Sequence, residues 1–591
     1  MPKPEENPQT FPQDACVGLA KGPGEKPHQF TLITPDSDDS LPVGEYVYYL
    51  LDDGGETRPV ICRIDERREA RNYPNCFLAN PGVNPGELAR FIGYAEEGDE
   101  LFELTASVLG YYDEAVGDFM NPRRMPRVGH PVYRAPAALL RRVLGRREPG
   151  EQGAATIGSL LSRPQDEVPI VLDVSRFTST HLAIIAGTGS GKSYLAAVLI
   201  EEMMRPNNRA CVLIVDPHGE YESLQAMPNL DEFFAAADGT LGEYRPRVKV
   251  LRPGDIKVAY RTLELDDLRY LLGRDLTAKM SYALGMAYRS ANRKTDGNWT
   301  LADLEVAIRE WSERARGMPM DDGGSAADVD ATAPMTAGGL IWRLESVLGK
   351  SESRIFHDYE DMSLQELFQP GQCTVLQLNQ VPEREQQVVV ATVLRRLYKA
   401  RVSTTTQKVG PGDSLYLPYP AFIMLEEAHN FAPAEADLVT SEQLKRILSE
   451  GRKFGVGVCL ISQRPGRLDP DVLSQCMTQI LMRISNEVDQ ARVAQSVETV
   501  GRSLMDELPG LSKGQAIVAG MAINTPVLVR VRKRFTRHQA QDPDAPARWR
   551  EHFNIADSER RQRDEALPFH KPLTTDAELA RYLFGVDPEE E

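Results

Sequence analysis

The stretch Ala186-Gly-Thr-Gly-Ser-Gly-Lys-Ser193 is the part of this sequence that most clearly indicates its fold class. It directly follows the apolar run His181-Leu-Ala-Ile-Ile185, which is typical of a strand, and it precedes a helix-favouring run from Tyr194 to Met204. Because glycine has no Cβ, the loop can curl until successive backbone N–H groups point at anionic oxygens. A strand, a glycine-rich loop and a helix in this order predict a phosphate-binding loop in an α/β fold.

Each position of this loop has an expected task around a bound ATP. Lys192 adds a positive charge for the β and γ phosphates, and the Ser193 hydroxyl is the expected Mg²⁺ ligand. The helix N-terminus points a partial positive charge at the same phosphates. Ala186 stands where this motif usually has its first glycine, and its small side chain still fits. The residues predicted to bind the ATP phosphates are Gly187, Thr188, Gly189, Ser190, Gly191, Lys192, Ser193 and Tyr194.

A second apolar run, Phe422-Ile-Met-Leu425, ends in the acidic pair Glu426 and Glu427. Two adjacent glutamates are more often a solvated surface, but open α/β sheets place their chemistry at strand ends. We expect Glu426 to hold Mg²⁺ through water and Glu427 to polarise the attacking water. The two halves together predict an ATP-driven P-loop motor with ATP and Mg²⁺ as its cofactors.

The composition is that of a globular protein large enough for several domains. The 591 residues are 41% hydrophobic and 26% charged, and no apolar run is long enough to cross a bilayer. The first residues contain no apolar core of a signal peptide, and the seven cysteines include no CxxC pair that would suggest a zinc ribbon. We therefore expect a cytoplasmic location and no membrane partner.

The formal net charge of −18 does not exclude a nucleic-acid partner. Binding to DNA depends on the local electrostatic potential, so a ring-shaped motor can be acidic outside and basic inside its channel. Basic clusters occur at Arg141-Arg142, at Lys445-Arg446 and from Arg530 to Arg534, although such clusters are more often solvated faces.

The chain divides into regions with different patterns. Residues 1–27 are rich in Pro, Glu and Gln and are predicted to be disordered. Residues 28–165 contain short β-like runs separated by Gly, Pro and Asp, which predicts a small β-barrel. Residues 166–540 alternate strands and helices, so we expect a mainly parallel sheet with a helical insertion at about 262–350. A charged tail covers residues 541–591.

Further motifs follow the strands of this larger region. Asp216-Pro-His-Gly-Glu-Tyr221 and Ser462-Gln-Arg-Pro465 each come after an apolar run, and Gly451-Arg-Lys-Phe-Gly455 precedes the second run. With the phosphate-binding loop and Glu426-Glu-Ala-His-Asn-Phe-Ala-Pro433, they resemble the motifs of the HerA family in the family's order. This family lies within the wider HerA/FtsK group of hexameric P-loop motors. The resemblance covers roughly residues 28–540.

The resemblance implies a RecA-like ATPase core behind the family's N-terminal barrel. It further implies a homo-hexameric ring that moves along double-stranded DNA, often with a NurA-type nuclease, in DNA end resection and double-strand break repair. Lys192 and Ser193 match the family's phosphate and Mg²⁺ positions, and Glu427 matches its catalytic acid.

Three further residues are candidates for the catalytic site, each with a plainer alternative. Asp216 matches a site acid, although an aspartate before Pro217 is also a common turn former. Gln463 is placed to sense the γ phosphate, or to make a hydrogen bond at the sheet edge. Arg452 is the best candidate for an arginine that acts on a neighbouring subunit's ATP, or it is a surface arginine at a helix end.

One position departs from the family's pattern, and two histidines stand inside the motifs. The family tends to carry an arginine just before the first motor strand, where this chain has Thr180-His181, so a second such arginine stays unassigned. His218 and His429 have no further ligands at metal-binding spacing, and we interpret both as structural or coupling residues.

Two other functions compete with a DNA translocase. The first is an ATP-gated ring that activates a partner effector, for example in phage defence. The second is a protein-transport motor, because related ATPases power secretion systems; the absence of a membrane segment and the N-terminal barrel count against it.

Overall fold

The computed structural model describes most of the chain and divides it into two units, residues 1–537 and residues 538–591. The predictions of disorder for residues 1–15 and of a charged tail for residues 567–591 lie outside the described residues. The described residues are 16–35, 41–53, 56–70, 82, 101–113, 116, 118–231, 242–273, 275–317, 330–349, 355–497, 500–537 and 544–566.

The N-terminal strands close into an antiparallel barrel. Their order is β2-β1-β7-β3-β4-β5, and a pairing between β2 and β5 closes the ring, while β6 extends β5. Alternate side chains such as Phe30, Leu32, Val47 and Tyr49 are buried inside it. The strands are β1 (Cys16–Pro23), β2 (Gln29–Pro35), β3 (Tyr46–Asp53), β4 (Glu56–Glu69), β5 (Leu101–Asp113), β6 (Asp118–Met120) and β7 (Pro131–Arg134).

The second sheet has eleven strands in the order β12-β15-β11-β16-β17-β10-β18-β19-β20-β8-β9. The strands from β12 to β18 are parallel to their neighbours, and the remaining ones are antiparallel. This sheet behind the barrel confirms the predicted fold class. Its strands are β8 (Ala154–Leu160), β9 (Pro169–Asp173), β10 (Leu182–Ile185), β11 (Cys211–Asp216), β12 (Arg247–Leu251), β15 (Gln372–Gln377), β16 (Ala421–Leu425), β17 (Val456–Ser462), β18 (Thr478–Met482), β19 (Gln515–Gly520) and β20 (Val527–Val531).

Two predicted region boundaries were wrong. Residues 1–27 were expected to be disordered, yet Cys16–Pro23 form strand β1, because its backbone pairs with β2 and β7 on both sides. The barrel region was expected to reach residue 165, yet β8 belongs to the large sheet. Its partner β20 lies more than 360 residues further along the chain, and no local pattern reports such a pairing.

Helices cover both faces of the large sheet. On β11, Val212 and Ile214 face one apolar layer with the helix after the phosphate-binding loop, while Leu213 and Val215 face the other layer. In the described part of the chain, no helix is long and apolar enough to span a membrane. The helices are α1 (Ala137–Leu144), α2 (Val174–Thr180), α3 (Lys192–Met203), α4 (Leu265–Leu272), α5 (Ala278–Lys294), α6 (Leu301–Gly317), α7 (Ala333–Leu344), α8 (Leu364–Leu367), α9 (Glu383–Thr405), α10 (Val439–Glu450), α11 (Pro470–Ser474), α12 (Glu487–Ser496), α13 (Arg502–Met505) and α14 (Ala545–Ala566).

The stretch predicted as a helical insertion, about 262–350, holds helices α4 to α7. Its flanks meet in the short parallel pair β13 (Val258–Ala259) and β14 (Phe356–His357). The insertion packs on the same face of the sheet as α9.

A buried ion pair fixes the barrel to the large sheet. Glu45, which is fully buried just before β3, contacts Arg163 of the β8–β9 connection at 2.8 Å and Arg134 at 3.1 Å. Tyr46 adds a hydrogen bond from its hydroxyl to the Pro526 carbonyl at 3.4 Å. A buried carboxylate with two cations is costly to separate, so these contacts hold the barrel against the large sheet.

Candidate active site

The phosphate-binding loop joins β10 to α3 with the curvature that its glycines allow. Gly189 and Gly191 have φ angles of 76° and 104°, a region that side chains with a Cβ rarely adopt. The N–H of Gly187 donates to the Arg483 carbonyl at 2.8 Å, which ties the loop to the end of β18. The Ser190 side chain is buried and hydrogen-bonds the Gly187 carbonyl, so it shapes the loop from inside.

The sheet order brings the acidic pair to this loop. Strands β16, β17 and β10 are adjacent and parallel, so their carboxyl ends lie along one edge. Glu427 follows β16 with φ 49° and ψ 50°, a left-handed conformation that is unusual for a residue with a side chain. This turn points the two successive carboxylates, Glu426 and Glu427, towards the phosphate-binding loop.

Lys192 lies between the two carboxylates. Its ammonium nitrogen is 2.7 Å from Glu426 Oε1 and 2.5 Å from Glu427 Oε1, and all three side chains are buried. Burial opposes the charged form of Lys192, but the two carboxylates outweigh this effect and raise its pKa. Burial alone would raise the pKa of Glu427, yet Lys192 lowers it below the ordinary value, so this carboxylate is ionised.

Gln463 links Glu427 to the phosphate-binding loop. Its amide nitrogen donates to Glu427 Oε1 at 2.7 Å, and its amide oxygen accepts from the Thr188 hydroxyl at 3.1 Å. Thr188 is exposed in the phosphate-binding loop. Gln463 is therefore placed to report changes at Thr188 to the carboxylate.

Glu426 faces the second predicted Mg²⁺ ligand. The Ser193 hydroxyl lies 3.4 Å from Glu426 Oε1, so two hard oxygen donors converge at the start of α3. The described residues contain no cluster of three metal-binding side chains. The oxygens of Ser193 and Glu426 fit Mg²⁺, which usually takes few protein ligands and completes its shell with water and substrate phosphates.

Tyr221 ends one of the sequence motifs but was not predicted as a site residue, and the structure places it beside Glu426. Its buried hydroxyl donates to Glu426 Oε2, the oxygen that does not face Lys192. The signal for this residue was its place in Asp216-Pro-His-Gly-Glu-Tyr221, where a turn after β11 returns the chain to the strand end.

The contacts of Asp216 are those of a turn-forming residue, which was the alternative to its predicted role as a site acid. Its carboxylate accepts the backbone N–H groups of Gly219, Glu220 and Tyr221 at 2.8–3.1 Å. Burial raises the pKa of Asp216, and these hydrogen bonds oppose that rise. Asp216 therefore holds the turn that delivers Tyr221 to Glu426, and acts on the site through that tyrosine.

His429 contacts the carboxylate oxygen of Glu427 that does not face Lys192. Its Nδ1 lies 3.3 Å from Glu427 Oε2 and 3.1 Å from the Ser462 hydroxyl, and burial lowers the pKa of the imidazole. A neutral His429 fits the expected structural or coupling role. The hydroxyl of Tyr194, a predicted phosphate contact, accepts from the backbone N–H of Arg534 at 2.6 Å, so the structure engages this hydroxyl outside the phosphate-binding loop.

Arg452 is not brought into this site. It is exposed in the turn before β17, whose opposite end carries Ser462 and Gln463. The strand spans about 23 Å at its usual rise per residue, so Arg452 lies at the far edge of the sheet. His181, which replaces the family's arginine at this edge, is buried, and burial lowers its pKa to about 4, so it supplies no positive charge there.

Replacing Tyr221 with phenylalanine is expected to raise the Mg²⁺ concentration needed for half-maximal ATP hydrolysis about 10-fold, because Glu426 loses the hydrogen-bond donor that orients it. Turnover measured against Mg²⁺ concentration should show the shift, with recovery at saturating Mg²⁺. Tyr194→Phe is the matched control, since it removes a tyrosine hydroxyl that accepts from the Arg534 backbone N–H. An unchanged Mg²⁺ titration of Tyr221→Phe would contradict the positioning role.

Comparison with known proteins gives a consistent set of relatives. Residues 155–397 match the sequence family described as the central domain of the helicase HerA. The chain is 29% identical to the DNA double-strand break repair helicase HerA of Pyrococcus furiosus, covering 87% of this chain and 92% of that protein. It is 26% identical to the protein of the same name from Saccharolobus solfataricus, covering 73% of this chain and 78% of that protein.

A further relative is close enough in sequence and coverage to decide membership. The chain is 30% identical to a probable helicase of Methanocaldococcus jannaschii over 441 residues, which are 74% of this chain and 77% of that protein. The matched region contains the two halves of a nucleotide-hydrolysing site that meet at the sheet edge. The chain belongs to the HerA helicase family.

Proposed function

We propose that this ATPase is a homo-hexameric motor that moves along double-stranded DNA and supports DNA end resection together with a NurA-type nuclease. The observation that carries the proposal is the convergence of Lys192, Glu426, Glu427 and Gln463 at one sheet edge in a member of the HerA family. The relatives named DNA double-strand break repair helicase support the choice of DNA as the substrate of the motion.

Each residue of the site has a separate proposed role in ATP hydrolysis. In the structure Lys192 pairs with two buried carboxylates, and the phosphates of ATP would draw the ammonium towards themselves. Glu427 then loses its closest cation and becomes the general base for the attacking water. Ser193 and Glu426 would hold Mg²⁺, which when bound would offset the negative charge of the ATP phosphates.

The position of Arg452 supports the proposed hexameric ring. An exposed arginine at the amino edge of the sheet cannot reach the phosphates of its own chain, but it can face those of an adjacent subunit. In this arrangement each subunit completes its neighbour's site. Hydrolysis at one interface changes how the neighbour's Arg452 engages, and this change drives the step along DNA.

The motion along DNA is proposed to be independent of sequence, because contacts to phosphates carry no sequence information. Such contacts also release counterions, so they weaken as salt rises. ATP turnover should therefore increase with linear duplex DNA at low salt and lose much of this increase at moderate salt. The measurement is the steady-state ATPase rate of the purified chain with and without the duplex.

The controls separate the competing functions. The Lys192→Ala chain should show no stimulation, which excludes a contaminating ATPase. Turnover that is strong but indifferent to DNA would overturn the translocase proposal and favour a protein-transport motor. Movement along the duplex is measured as displacement of a labelled third strand. An ATPase rate that duplex DNA stimulates without any such displacement would instead favour an ATP-gated ring that controls an effector.

A further inference from the structure

A wide groove runs along the helical insertion between α5 and α6, far from the residues of the hydrolytic site in the sequence. Its volume is about 880 Å³. Buried Ala307 and half-buried Trp311 of α6 line it, and Tyr282 and Met286 of α5 line it with 60% and 38% of their surface exposed. Tyr282 and Met286 are one helical turn apart, so they form an apolar stripe that faces water.

The groove is basic although the chain as a whole is strongly acidic, with a net charge of −18. Carboxylates already pair with three of its cations. Asp330 contacts Lys279 at 2.5 Å, and Glu310 contacts Lys294 at 2.5 Å and Arg314 at 3.5 Å.

Two cations remain without a carboxylate partner among the described residues. Arg289 is 3.0 Å from the sulfur of Met286, and Arg293 is exposed one turn further along α5. Tyr282, Met286, Arg289 and Arg293 follow each other at spacings of four, three and four residues. They therefore line one face of the helix, apolar at one end and positive at the other.

We propose that this groove binds an acidic amphipathic helix of a partner protein. Helix α5 has 17 residues and is about 25 Å long, which matches nearly five turns of a bound helix. The partner's apolar side chains would cover Tyr282, Met286 and Trp311, and its carboxylates would pair with Arg289 and Arg293. Helix-in-groove recognition uses this combination of apolar anchors and flanking charges.

A nucleic acid fits the same groove less well. Among the groove residues that the structure describes, only two cations have no carboxylate partner in the described chain, whereas affinity for DNA grows with the number of phosphates neutralised. The methionine and alanine surfaces offer little to bases, while a flexible methionine adapts well to the apolar side chains of a protein. The groove also carries no residue of the hydrolytic site, so the proposal does not depend on DNA motion.

The test measures fluorescence anisotropy of labelled 18-residue helical peptides with the full-length chain. One peptide has a Leu and Phe stripe flanked by Glu, and the second has Lys in place of every Glu. The charge reversal Arg289→Glu with Arg293→Glu should weaken the Glu peptide at least tenfold and strengthen the Lys peptide. The matched control, Arg309→Glu with Arg316→Glu on α6, makes the same change in charge at exposed arginines that do not line the groove.

The gain of binding to the Lys peptide makes the result independent of any loss of folding. The proposal is supported if the control leaves both peptides unchanged and Met286→Ser weakens the Glu peptide. It is overturned if the original chain does not prefer the Glu peptide, or if the control weakens binding as much as the groove variant. A 20-nucleotide thymidine strand that displaces the Glu peptide, and that Arg289→Glu with Arg293→Glu no longer binds, would also overturn it in favour of a nucleic-acid site.

Discussion

Replacing Lys192 with alanine is expected to remove ATP turnover and to destabilise the nucleotide-free chain at the same time. The turnover should fall by at least about 10²-fold, because a preorganised charge on the transferred phosphate is lost. The free energy of unfolding should fall by about 3–5 kcal/mol, since buried Glu426 and Glu427 would lose the cation between them. ATPase assays and chemical denaturation without nucleotide measure the two effects separately.

Two variants test whether the destabilisation comes from the buried charges. Lys192→Ala combined with Glu427→Gln removes one of the two unpaired carboxylates, so stability should partly recover while turnover stays absent. Lys453→Ala removes an exposed lysine and should change neither quantity. If Lys192→Ala were as stable as the original chain, the lysine would not neutralise the acidic pair in solution.

Replacing Glu427 with glutamine is expected to reduce turnover by about 10²–10⁴-fold, the usual contribution of a general base. Glutamine has the same shape and can still accept the hydrogen bond from Gln463, so the site should stay folded and bind ATP. A fluorescent ATP analogue measures the binding, and single-turnover hydrolysis measures the chemical step. The expected pattern is unchanged affinity with a slow chemical step.

Glu435→Gln makes the same chemical change at an exposed glutamate eight residues further along the chain and should leave turnover unchanged. Near-normal hydrolysis by Glu427→Gln would remove Glu427 from the catalytic role. Loss of ATP binding in this variant would instead indicate that the carboxylate acts mainly by holding Lys192 in place.

Much of the hydrolytic site could be predicted because its parts are short and contiguous. The loop from Gly187 to Ser193 carries its geometry in its glycines, and the pair Glu426 and Glu427 stands directly at the end of an apolar run. Residues whose contacts come from elsewhere in the chain were harder to place. Tyr221 contacts Glu426 across 205 positions of sequence, and Asp216 binds its own turn and not a phosphate site.

The boundaries between regions were also hard to predict wherever they depend on contacts with distant parts of the chain. Strand β1 begins at Cys16, inside a region whose Pro-, Glu- and Gln-rich composition dominated the prediction of disorder. Strand β8 looks like the barrel strands before it, and only its pairing with β20 assigns it to the large sheet. Strand pairing over hundreds of residues is a property of the assembled sheet.

The sequence by itself determined the chemistry of this protein: a phosphate-binding loop after a strand, an acidic pair after another, and the family to which both belong. Local backbone preferences and short motifs carry that information, so no tertiary contact is needed to read it. The tertiary structure decided which groups meet: Lys192 between two carboxylates, Tyr221 behind Glu426, and Arg452 at the opposite edge of the sheet. The order of parallel strands sets these distances, and that order is fixed by packing between segments far apart in the chain.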